Sequence, residues 1–75
     1  MTTLVIRFSA LGDVAMLASV LRETVAQHPE ERFIVLSREK MRPLFDDLEC
    51  VTFLSMGEPI PWKTIDLVLD AHSVW

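Results

Sequence analysis

The chain has 75 residues, 51% of them hydrophobic, which suits at most one small domain with a marginal core, since a chain this short buries only about 60% of its unfolded surface. Seven Lys and Arg against eleven Asp and Glu leave a net charge of −4, so no basic surface points to nucleic acid or anionic lipid. One cysteine, Cys50, excludes an internal disulfide, and no Cys/His pair has metal-ligand spacing; a reduced, cytoplasmic setting fits this usage.

The first residues do not read as a secretory signal, because Arg7 falls inside the first apolar run and Asp13 separates that run from the next apolar cluster. The apolar cluster after Asp13 is too short for a bilayer span of about 20 residues. The sequence therefore predicts a soluble piece, at most peripheral to a membrane.

In chain order, Leu4-Val5-Ile6-Arg7-Phe8 is β-branched and aromatic, apolar on both faces, and predicts a central parallel strand. Over residues 12–28, Val14, Leu17, Ala18, Leu21 and Val25 recur at three- and four-residue steps, with Arg22, Glu23 and Gln27 off that stripe. This predicts an amphipathic helix ended by Pro29. Residues 32–37, carrying Phe33-Ile34-Val35-Leu36, predict a second strand. Met41, Leu44, Phe45 and Leu48 mark a shorter helix, in which Pro43 is tolerable only in the first turn. Cys50-Val51-Thr52-Phe53-Leu54 predicts a third strand, the stretch around Gly57, Pro59 and Pro61 a crossing loop, and Asp66-Leu67-Val68-Leu69-Asp70 a fourth strand.

Strands alternating with helices imply right-handed βαβ units and a parallel sheet, most simply in spatial order 3-2-1-4. The order then reverses between strands one and four. Ligands bind outside the carboxyl ends of strands at such a switch point. Ser9, Gly12 and Asp13 leave strand one there, and Asp70, His72 and Ser73 leave strand four beside them.

Leu4-Val5-Ile6-Arg7-Phe8-Ser9-Ala10-Leu11-Gly12-Asp13-Val14 resembles the opening of the bacterial heptosyltransferases, glycosyltransferase family 9, which begin with an apolar strand, Ser-x-x-Gly-Asp and a helix. Asp66-Leu67-Val68-Leu69-Asp70-Ala71-His72-Ser73 is similar to a second segment of that family, an apolar strand ending in Asp with His or Gln two residues on; Ser73 stands where many members carry Gly. The likeness runs through the whole chain in element order, and the first motif is its more specific part.

The resemblance implies an α/β chain with a parallel Rossmann-like sheet and helices on its faces. It would form part of the N-terminal, acceptor-side domain of a GT-B glycosyltransferase, the donor-binding C-terminal domain lying outside this chain. It also implies inverting transfer of heptose from ADP-heptose to the lipopolysaccharide inner core at the cytoplasmic face of the inner membrane, without an essential metal or cofactor. Taken alone, the chain is expected to be inactive and to bind a nucleotide sugar weakly, because most donor contacts belong to the other domain.

Inverting transfer needs a base that takes the acceptor hydroxyl proton while leaving-group charge is stabilised opposite. In the first helical turn Asp13 suits that task, and Gly12 lets a substrate approach closely. By spacing alone Asp13 reads first as a helix cap, a role worth roughly 0.3–1 kcal/mol; the resemblance reverses that order, because family members use the Asp of this motif as the base. Ser9 reads as a donor to a phosphate or sugar, or as an N-cap hydroxyl. His72 and Ser73 are placed as substrate-binding residues at this crevice; on its own a His beyond a strand reads first as a hydrogen-bonded structural residue, with binding an anionic acceptor or relaying a proton as its functional role. Asp70 is expected to orient its loop. Met16, Met41 and Met56 read as core or surface residues. Trp62 and Trp75 read as buried in a larger protein or as sugar-stacking platforms. Arg7, a charge in an apolar strand, must reach solvent, a carboxylate or a phosphate; Glu23 and Asp66 are the candidate carboxylates.

The competing reading is a small non-catalytic nucleotide- or phosphate-binding α/β module. Against a dinucleotide site stands the absence of Gly-x-Gly-x-x-Gly, with only Gly12 and Gly57 present, and against a P-loop the absence of Gly-Lys-Ser/Thr.

Overall fold

A computed structural model describes residues 1–71. Its elements are β1 (Thr2–Ile6), α1 (Leu11–Gln27), β2 (Arg32–Ser37), a 3₁₀ helix (Glu39–Phe45), β3 (Val51–Ser55), a 3₁₀ turn (Trp62–Thr64) and β4 (Leu67–Asp70). The four strands form one parallel sheet in the order β3-β2-β1-β4, as the alternation of strands and helices predicts. Val5 stands in register with Val35 on one side and Leu69 on the other, and Val35 with Phe53.

Successive strand residues face opposite sides, so Val5, Phe33, Val35, Val51 and Phe53 share the face on which α1 packs. The helix brings Val14, Leu17, Ala18 and Leu21 to that face, all buried, and the 3₁₀ helix adds Met41 and Phe45. Leu48, in the turn after it, closes the cluster. Val25, at the end of the predicted stripe, is only half-buried. On the opposite face Leu4 and Ile34 are buried, while Val68 lies in solvent. The segment between β3 and β4 shares a groove there with Thr2, Ile34 and Thr52, through Pro61 and Thr64.

Several predicted bounds move, each for a local reason. The first strand ends at Ile6 and not at Phe8, although the Arg7 amide still donates to the Leu36 carbonyl at 3.2 Å. The fourth begins at Leu67, because Asp66 is used to latch the opposite end of β1. Its amide donates to the Thr2 carbonyl, and its carboxylate accepts from the Thr2 amide, both at 2.8 Å. The third begins at Val51. The main helix starts at Leu11 and ends at Gln27, with the His28 amide closing on the Thr24 carbonyl at 2.8 Å.

The predicted second helix is a 3₁₀ helix, and Pro43 lies inside it, past the first turn. A proline ring collides with the carbonyl four residues back in an α-helix and offers no N–H, so α-helical winding over this segment is disfavoured. The segment still delivers its apolar residues to the core. Met41 is buried, whereas Met16 and Met56 are exposed.

Two features leave apolar surface open. Parallel sheets are ordinarily covered on both faces, yet Leu67, Val68 and Leu69 of the edge strand β4 are each 40–48% exposed. Trp62 is exposed as well; Trp75 lies outside the described residues. No described helix is long and apolar enough to cross a membrane.

Candidate functional site

The switch point falls between β1 and β4, and four residues carry the chain from the end of β1 into α1. Arg7 is the first of them, and β2 holds its backbone. Its amide donates to Leu36, and its carbonyl accepts from the fully buried Ser37 hydroxyl at 2.5 Å. With the backbone clamped on that side, the side chain reaches the other way. Nη1 donates to the Ala71 carbonyl at 3.1 Å, just past β4, and Nη2 donates to Asp13 Oδ2 at 2.6 Å. The Arg7 side chain is 12% exposed and that of Asp13 44%, so the cation is mostly enclosed while the carboxylate opens to solvent. The Arg7 Nε is buried with no hydrogen-bond partner among the described residues.

Neither carboxylate expected to pair with Arg7 does so. Glu23 is exposed, three turns along α1, and Asp66 is at the amino end of the sheet, bonded to Thr2. The signal that points to Asp13 is the shortness of the strand-to-helix turn. A four-residue connection returns the first helical turn beside the strand end, so residue i+6 meets residue i.

Asp13 is the third residue of α1, where the unpaired N–H groups of the first turn favour negative charge. Its side chain is held by Arg7 through Oδ2. Ala10 is the N-cap and has no hydroxyl to offer; Ser9 therefore does not cap the helix. Ser9 is exposed beside this turn, and the Ser9–Ala10 peptide is cis.

Gly12 is exposed and helical, without positive φ, and a Cβ built on it meets nothing within 4 Å. Neither backbone conformation nor packing within the described residues requires a glycine there. His72 and Ser73, the remaining predicted site residues, lie outside the described residues. Asp70 ends β4 in register with Ile6, at the same edge of the sheet.

A second groove that sequence reasoning did not single out lies at the same end of the sheet, lined by Arg38, Glu39, Ser55 and Met56. Its walls are braced by Arg42, which donates to Glu39 through Nε at 2.5 Å and Nη2 at 2.9 Å, pairs with Glu58 at 3.5 Å and lies 4.8 Å from the centre of the Phe53 ring. Glu58 in turn accepts from the Ser55 amide at 2.6 Å, closing a turn in which Gly57 takes a φ of 94°. The hydrogen bonds from Arg42 hold the Glu39 carboxyl below its ordinary range, and Glu39 raises Arg42 in return. Among the described residues no three His, Cys, Asp or Glu side chains converge as a metal site.

Chemically, the first site offers an ionised oxygen at the switch point, an exposed hydroxyl next to it, and open space over Gly12. No family model, no curated protein and no solved structure matches this chain.

Proposed function

We propose that this chain is the N-terminal, acceptor-side part of a heptosyltransferase-like glycosyltransferase, with Asp13 as the general base. The observation that supports the reading is the setting of Asp13. Its carboxylate stands in the first turn of α1 at the carboxyl end of a parallel sheet, half-exposed, with one oxygen taken by Arg7. Together with the Ser-x-x-Gly-Asp resemblance, that setting suits proton removal better than capping.

In the proposed reaction the acceptor hydroxyl of the lipopolysaccharide core attacks the anomeric carbon of ADP-heptose. The new C–O bond forms as the bond to the diphosphate breaks, with inversion, and the hydroxyl proton passes to Asp13. Ser9 donates to the sugar or phosphate beside it, Gly12 leaves room for close approach, and His72 and Ser73 complete the acceptor side. The departing ADP carries its charge towards the donor-binding domain, so both substrates are partners of the whole protein at the cytoplasmic face of the inner membrane.

The test is steady-state transfer from ADP-heptose by the full-length protein. A general base contributes about 10²–10⁴-fold, so Asp13→Asn lowers turnover by that factor with an unchanged far-ultraviolet circular dichroism spectrum. Near-normal turnover of the variant would reduce Asp13 to a structural partner of Arg7. Absence of any transfer by the wild-type protein would remove the reading altogether.

A further inference from the structure

We propose that Arg7 is the positioning residue of the site, fixing the Asp13 carboxylate through Oδ2 so that Oδ1 meets the ligand in one orientation; this rests on the reading of Asp13 as the base. The argument starts from where the guanidinium is. It occupies the first position after β1, 12% exposed, with a buried Nε that no described group satisfies. Enclosing a charge together with an unpaired donor is unfavourable. The fold alone therefore has little use for arginine here, and local rules are most often broken at functional sites.

The two bonds divide the labour. The one to the Ala71 carbonyl is not needed to register β4, because the Ala71 amide already donates to the Ile6 carbonyl at 3.0 Å. What it does is fix the plane of the guanidinium. With the backbone clamped by Leu36 and Ser37 and one nitrogen tied to Ala71, the other nitrogen arrives at Asp13 from a single direction. Arg7 takes Oδ2 while the Asp13 side chain stays 44% exposed, which leaves Oδ1 for the acceptor hydroxyl. A lysine keeps the charge but offers one nitrogen where two make these bonds.

The experiment uses the full-length protein, with Arg7→Gln and Arg7→Lys, and two readouts. The first is the three-bond couplings of the Asp13 side-chain carbonyl carbon by nuclear magnetic resonance, which report its χ1 rotamer without any substrate. Wild type gives the couplings of a single staggered rotamer, Arg7→Gln gives rotamer-averaged values, and Arg7→Lys falls between. The second is heptose transfer. Misplacement of a reacting group by about 1 Å costs on the order of 10²-fold, so kcat falls about 10- to 100-fold in Arg7→Gln with KM unchanged, and Arg7→Lys recovers part of it.

If the wild-type protein transfers no heptose, the proposed function falls while the couplings still decide whether Arg7 orders Asp13. Unchanged couplings in Arg7→Gln overturn the inference, and so does an unchanged kcat where the wild type is active. Should Arg7→Gln fail to fold, the same two readouts on Arg7→Lys decide it, because that variant keeps the cation in the enclosed position.

Discussion

Replacing Gly12 by alanine separates what the fold needs from what a ligand needs. Gly12 is the second residue of α1, in helical conformation, and the added methyl carbon meets nothing within 4 Å. A helical glycine costs roughly 0.5–1 kcal/mol relative to alanine, through backbone entropy alone when no packing changes. Gly12→Ala is therefore expected to stabilise the 75-residue chain by about 0.5–1 kcal/mol, at which scale the melting temperature of so small a domain rises by about 2–8 °C. Gly57→Ala supplies the contrast. A methyl there also meets nothing, yet the φ of 94° makes the substitution cost about 1–2 kcal/mol. Thermal unfolding followed by far-ultraviolet circular dichroism reads both. In the full-length protein the same Gly12→Ala is expected to raise KM for the acceptor, because the methyl group occupies space beside Asp13 that the substrate uses. A melting temperature that falls would refute the conformational argument. A higher melting temperature with unchanged KM and kcat would show that no ligand comes close to Gly12, and would remove one support from the site.

Two further outcomes test the packing and the charge network. Met41→Ala empties a fully buried position and is expected to cost about 2–5 kcal/mol, a large part of the roughly 4–11 kcal/mol available to a chain of this size, whereas exposed Met16→Ala stays within about 0.5 kcal/mol; urea unfolding of both variants checks the difference. Because Arg42 lowers the Glu39 carboxyl in the folded state, the pair contributes stability above the unfolded-state value that is lost as pH falls through the folded one. Arg42→Ala is accordingly expected to raise the Glu39 titration midpoint in carbon-detected resonance spectra and to flatten the dependence of the midpoint of unfolding on acid pH. An unmoved Glu39 midpoint would show that the contact does not persist in solution.

The amino-acid sequence by itself determined the architecture. Apolar runs at residues 4–8, 32–37, 50–54 and 66–70, separated by one long amphipathic helix and shorter connections, admit few topologies once crossovers must be right-handed, and the observed order β3-β2-β1-β4 is the simplest of them. The same reading put Ser9, Gly12 and Asp13 at the switch point, because position relative to a strand end depends only on element order. Winding of the segment around Pro43 was harder to read. Met41, Leu44, Phe45 and Leu48 carry helical spacing, and a short 3₁₀ helix and a short α-helix can bury much the same residues.

Tertiary structure alone decided the partnerships. Arg7 meets Asp13 and the Ala71 carbonyl, not Glu23 or Asp66, because β2 clamps the Arg7 backbone and a four-residue turn folds the helix start back beside the strand end. Asp66 is consumed at the far edge of the sheet by Thr2. Covering of the strands is likewise a three-dimensional matter. Leu67, Val68 and Leu69 are as apolar as Leu4 and Val5, but β4 is an edge strand and β1 a central one, so similar side-chain chemistry ends half in solvent in one strand and buried in the other. Periodicity reports which residues share a face, and the reach of a guanidinium or the footprint of one helix is set by distances that exist only after the chain has folded.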